Sequence, residues 1–152
     1  MRRICHLAPS VVLAVLMLFS AGLNLRAEDA SLDTVLAEKI LSEINQARIE
    51  NGAEALVSDQ RLIGLAQQWA KKQTMKHRTH LSTVQKANGL SYLNECIYRS
   101  NGNPTASRVV NAWLKSKGHR KGILTSKAKL GGVGVFRSKS GWVYVVFNGG
   151  AR

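Results

Sequence analysis

The segment from Trp142 to Phe147, Trp-Val-Tyr-Val-Val-Phe, is apolar at every position, and that excludes most folds. In an extended chain successive side chains point to opposite faces. Val143, Val145 and Phe147 therefore look one way, and Trp142, Tyr144 and Val146 the other. A strand with one face in water alternates apolar with polar residues; here both faces have to be covered. Gly132 to Arg137 is a second Val-rich strand, joined to Trp142 to Asn148 through Ser138-Lys139-Ser140-Gly141, a hairpin signal. A hairpin covered on both sides implies a central sheet with helices packed on each face.

The helices are legible from their apolar spacing. Leu32, Leu36, Ile40, Ile44 and Ala47 mark a first helix to about Glu50, capped by Ser31 or Asp33 and closed by Asn51-Gly52. A second starts at Ser58-Asp59, carries Leu62, Ile63, Leu65, Ala66, Trp69 and Ala70, and fades into Lys71-Lys72-Gln73. In a third, Asn103 is the expected cap and Pro104 the first residue, while Val109, Val110, Trp113 and Leu114 share a stripe. Gly118, following Lys115 and Lys117, reads as its stop. His119 then lies just beyond a packed helix end, steadied by Ile123 and Leu124. From Leu81 to Asn103 periodicity is poor, except that Tyr92 to Tyr98 reads as a short strand or tight extended segment.

The start of the chain reads as a targeting segment. Arg2 and Arg3 precede an apolar run from Val11 to Leu25, and Ala27 closes a Leu-Arg-Ala cleavage site. The expected division is a signal peptide over 1–27 and one domain over 28–152, secreted or periplasmic. Cleavage removes Cys5 and leaves Cys96. The mature protein is then expected to be a monomer with a free thiol, held by core burial and no internal disulfide.

Charge is unevenly distributed. Residues 28–59 hold eight acidic and two basic residues, whereas residues 60–152 hold seventeen basic residues and one acid, Glu95. The basic excess suits an anionic membrane or envelope surface, and a secreted location favours these over nucleic acid. A lone carboxylate among Leu93, Cys96 and Ile97 invites either a salt bridge or a place in a site built with histidines. Two histidines three apart, His77 and His80, would share a face if the second helix continued. It fades before them, so His77 reads as a surface residue.

Several landmarks recur in a fixed order: Ile44-Asn45-Gln46-Ala47-Arg48, Leu65-Ala66-Gln67-Gln68-Trp69-Ala70, His80, Leu93-Asn94-Glu95, Trp113 through Gly118-His119-Arg120, Gly132-Val133-Gly134-Val135 and Tyr144-Val145-Val146-Phe147. Together they resemble the CAP superfamily (cysteine-rich secretory, antigen 5 and pathogenesis-related proteins) in its short bacterial SCP-domain form. The resemblance implies an α/β fold, a three-layer α-β-α sandwich with a small central antiparallel sheet and a cleft of histidines and acids. Carried over by position, the cleft residues are His80, Glu95, Ser116 and His119, with Ser116 standing where many members have a second glutamate. The family's Gly-Glu-Asn reads Asn94-Glu95-Cys96 here.

Three functions remain open at this point. The first is a binding cleft for a lipid, a glycan or a divalent cation such as zinc, with His80, Glu95 and His119 as metal ligands. A metal-dependent hydrolase would use the same cleft, and Ser116 with His119 could form a nucleophile and base. A basic binder of anionic envelope polymers or nucleic acid is the third. No compact catalytic motif is present, which favours binding over chemistry.

Overall fold

A computed structural model describes residues 34–152. The signal segment, its cleavage site, Cys5, and the Ser31, Leu32 and Asp33 start of the first helix lie outside the described residues. Helix α1 covers residues 34–50. It is followed by β1 (Val57–Ser58), α2 (Gln60–Ala70), α3 (Leu81–Ala87), β2 (Tyr92–Asn101), α4 (Ala106–Lys115), α5 (Lys117–Leu124), β3 (Leu130–Arg137) and β4 (Trp142–Ala151). Among the described residues no helix is long and apolar enough to cross a membrane.

The sheet order is β1-β3-β4-β2. The three long strands are antiparallel, with Val135 opposite Val145 and Glu95 opposite Asn148. The two-residue β1 adds a parallel edge, pairing Val57 with Leu130. As the alternation in β4 requires, both faces are covered. Val143, Val145 and Phe147 pack with Ile40 and Ile44 of α1, Val109, Val110 and Trp113 of α4, and Ile123 of α5. On the other face Tyr144 and Val146 pack with Ala66 and Ala70 of α2, and Leu62 meets Leu90 and Leu93 beside α3. The result is the three-layer α-β-α sandwich.

Two glycines set how closely α2 lies on the sheet. A Cβ at Gly132 would overlap the backbone at Leu62 and Ile63, and one at Gly134 the backbone at Ala66 and Gln67. Gln67 then locks the contact, its Nε2 donating to the Val135 carbonyl at 2.8 Å and its Oε1 accepting from the Val135 N–H at 2.9 Å. Asp59 caps the helix, Oδ1 accepting from the N–H groups of Arg61 and Leu62 at 2.9 and 3.2 Å.

The fold departs from the sequence reading in four places. The cap of α4 is Thr105, whose Oγ1 accepts from the Arg108 N–H at 3.2 Å, with Pro104 one residue outside. Gly118 does not stop that helix: the chain turns at Ser116, with φ −92° and ψ 121°, and re-enters a helix at Lys117. The reason is burial. Trp113 and Ile123 belong to one core cluster, yet ten residues of straight helix would separate them by about 15 Å along the axis. Tyr92 to Tyr98 proves to be the larger part of a ten-residue strand, and the unperiodic stretch before it holds α3, a seven-residue helix in which Leu81 and Val84 pack partly buried against the core, too short a stripe to read.

Candidate functional site

Glu95 sits on β2, the terminal strand of the sheet, on the face shared by Leu93 and Ile97 that looks toward α2. Its side chain is only 1% exposed. An isolated carboxylate could not remain charged there, and this one is not isolated. The chain between α2 and α3 brings Arg78 against it. The Arg78 guanidinium donates to Oε2, and the Arg78 backbone N–H donates to Oε1 at 3.1 Å. Nδ1 of His77 lies 3.3 Å from the same Oε1.

Arg78 is held on all sides. It donates to Asn148 Oδ1 at 3.3 Å and to the Leu65 carbonyl. It also stacks over the Trp69 ring with its central carbon 4.8 Å from the centroid, a favourable cation–π geometry. Trp69 is fixed in turn by Nε1 donating to the Lys76 carbonyl at 3.1 Å. Burial lowers the Arg78 pKa from its ordinary value while Glu95 opposes the shift.

His119 reaches this group from the other layer. It lies in α5, not after a helix end, and its imidazole is tilted 53° to that of His77 with ring centroids 6.0 Å apart. Segments from the two helical layers thus meet around the open edge of β2. Burial, reinforced by the charge of His77, lowers the His119 pKa. The imidazole is therefore kept neutral to a lower pH than a free histidine.

His77 links Glu95 to His119 and is also the surface residue that its sequence position suggested, its side chain 54% exposed. His80 lies elsewhere: exposed, at the N-cap of α3, with no side-chain capping bond. It lines a neighbouring groove of about 330 Å³ with Leu65, Trp69, Lys72, Arg78 and Val84. The physical reason is that α2 ends at Ala70, so His77 and His80 share no helix face. Ser116 occupies the junction of α4 and α5, its carbonyl accepting from the Arg120 N–H at 2.8 Å, and its hydroxyl makes no hydrogen bond to His119. The pair needed for serine chemistry is not assembled.

The donor set does not fit a metal centre held by His80, Glu95 and His119. Both oxygens of Glu95 already accept hydrogen bonds from Arg78, and the Arg78 guanidinium would repel a dication. Among the described residues no three His, Cys, Asp or Glu side chains converge on a common point. Cys96 faces the opposite layer, its Sγ 3.8 Å from the His119 carbonyl. Burial, with a smaller contribution from Glu95, pushes its pKa up to about 12, and its side chain packs within the core.

Arg78 is the cleft residue that sequence reasoning missed. A signal existed: a buried acid flanked by apolar residues on a strand demands a cation. Nothing in the spacing said which of many candidates supplies it.

Comparison with known proteins agrees with this architecture. Residues 41–148 match the model of the CAP, or Cysteine-rich secretory protein, family. The chain belongs to that family. It is 31% identical over 115 residues to the uncharacterized protein YkwD of Bacillus subtilis (strain 168), a match covering 69% of this chain and 44% of that protein. In fold it is similar to an outer surface protein from Borrelia burgdorferi, with a TM-score of 0.64 and 21% identity over 74% of this chain and 89% of that one. It is also similar to an extracellular SCP-domain protein from Bacillus anthracis str. Ames, with a TM-score of 0.65 and 21% identity over 79% of this chain and 41% of that one. NaASP2, solved with Zn2+, shares the fold at a TM-score of 0.60 and 17% identity over 74% and 77% of the two chains.

Proposed function

We propose that this protein is a non-enzymatic binding domain working outside the cytoplasm, and that its ligand is an amphiphile such as a lipid. The observation that carries the reading is the burial of Glu95, whose side chain is only 1% exposed. A general base or metal ligand has to reach the reacting centre, whereas this carboxylate is turned inward and held by Arg78 through both of its oxygens.

The ligand class follows from the groove beside that cluster. Leu65, Val84 and the Trp69 ring supply apolar wall, and Lys72 and His80 supply cationic or donor groups. About 330 Å³ is at the lower end of small-ligand pockets, enough for one acyl tail of modest length. An apolar tail against Trp69 with an anionic head at Lys72 and His80 satisfies both parts of the lining. Export is supported by the charged and apolar N-terminal pattern and by the extracellular and outer-surface relatives.

Dodecanoate titrated into the purified protein should bind saturably and change tryptophan emission. Lys72→Ala and Leu65→Glu should each weaken it at least fivefold. A panel of peptide, ester and phosphodiester substrates should show no turnover. Hydrolysis that His119→Ala abolishes would establish the enzyme reading instead.

A further inference from the structure

We propose a second binding site, independent of the Glu95 cleft and its groove, that recognises a phosphate group carried by a small polyol. It is a cavity of about 380 Å³ on the other face of β2, between α5 and the start of that strand, lined by Tyr92, Gly118, Lys121, Gly122, Thr125 and Lys127. Positions 118, 121, 122 and 125 follow the helical period, so they form one face of α5 running into its C-cap.

The first argument is the pair of glycines on that face. Glycine inside a helix costs roughly 1 kcal/mol relative to alanine, and it is usually explained by a positive φ or by close packing. Neither applies here. Neither glycine has a positive φ. A Cβ at Gly118 would meet nothing within 4 Å, and one at Gly122 would make only ordinary contacts of 3.5 Å with Asn94 and Cys96. At Gly122 helix α5 gives up propensity, and at Gly118, in its first turn, the absent side chain leaves open space. That space is the cavity.

The second argument is the chemistry of the lining. The Tyr92 hydroxyl accepts from Asn94 Nδ2 at 3.1 Å, and Thr125 Oγ1 accepts from the Lys127 N–H at 3.3 Å. Each hydroxyl has its acceptor side engaged within the protein, leaving its proton to donate. Lys121 and Lys127 are exposed, and neither takes part in an ion pair among the described residues. The lining therefore offers two ammonium groups and two hydroxyl donors with no carboxylate to compete. Ammonium groups act as point charges suited to phosphate, whereas a planar carboxylate is matched best by the arginine fork, which this cavity lacks.

Size sets the remainder of the ligand. At about 30 Å³ for each water-sized group, the cavity holds roughly a dozen non-hydrogen atoms, more than phosphate alone. Apart from the Tyr92 ring and the lysine stems the lining is polar or bare backbone, which suits additional atoms that are polar. A phosphorylated polyol meets both conditions, whether as a free ester or as the headgroup of a lipid.

Calorimetric titration with glycerol 3-phosphate, beside co-sedimentation with phosphatidylglycerol vesicles, tests the site on the purified protein. Saturable binding is expected to at least one probe. It should weaken at least tenfold in Lys121→Ala/Lys127→Ala, and also in Gly118→Leu, which fills the space without changing charge. Removing the same charge at Lys86 and Lys139 should change affinity less than twofold. Binding to glycerol 3-phosphate assigns the free ester, and binding to vesicles alone assigns the headgroup. If Gly118→Leu does not fold, the two lysine pairs decide. No saturable binding to either probe, or equal weakening by both lysine pairs, overturns the proposal.

Discussion

Among the described residues two arginines have buried side chains, and they are satisfied in different ways. Arg48, at the end of α1 and 1% exposed, meets only backbone oxygen. Its guanidinium donates to the carbonyls of Glu54, Ile123, Thr125 and Ala128, tying α1 to the end of α5 and the approach to β3. Arg78, with a side chain 7% exposed, meets a carboxylate, an aromatic face and the wall of a groove. Carbonyls that receive a guanidinium are fixed parts of the frame. A carboxylate that receives one forms an ion pair whose two members can be removed together, and this pair adjoins a groove. One buried arginine thus closes the fold, and the other defines a site.

Substitution should separate the two. Arg48→Met leaves four carbonyls short of donors at the meeting of three elements. Two of those bonds are buried and two part-buried; a buried unsatisfied acceptor costs about 1–3 kcal/mol, so a loss of about 4 kcal/mol is expected. In a domain of this size that lowers Tm by roughly 15 °C, read by thermal or urea melts. No single second substitution should restore it.

Arg78→Met should cost somewhat less, about 3 kcal/mol, chiefly because Glu95 is left buried and unpaired. Here a second substitution does help. In Arg78→Met/Glu95→Leu the uncompensated charge is gone, and urea melts should recover at least half of the loss. If the double variant is no more stable than Arg78→Met, Arg78 is a frame residue like Arg48 and the contrast fails.

The smallest effect concerns pH. The His119 pKa is lowered from 6.5 in the fold, first by burial and then by His77. Between the lowered value and 6.5 the unfolded chain binds more protons than the native one, so this group's contribution to stability rises with pH across that window and falls as the solution is acidified through it. His119→Gln should flatten the urea midpoint between pH 7.5 and 5, whereas Arg48→Met should lower it equally at every pH. An unchanged pH profile in His119→Gln would remove the histidine from the charged cluster.

The same contrast explains what can be read in advance. The alternation of Trp142 to Phe147 demands cover on both faces of the sheet, whatever supplies it. The stripes of α1 and α2 follow from local spacing, as does the isolation of Glu95 among cations. Arg48 is only one letter of a familiar run, because a donor satisfied by distant carbonyls leaves no pattern near itself. Helix α3 is hard to read because it is seven residues long and carries only Leu81 and Val84, each partly buried, toward the core.

The amino-acid order therefore determined the layers, the strand faces and the presence of one isolated acid, all of which depend on periods of two and 3.6 residues and on charge composition. Tertiary structure decided the partners. That His77, and not His80, lies at Glu95 depends on where α2 ends. That Arg78 supplies the charge depends on the path of the connecting chain, and that His119 sits within a helix depends on the need to bury Trp113 and Ile123 together. These are contacts between segments far apart in sequence, fixed by packing and charge balance in three dimensions and by no local period.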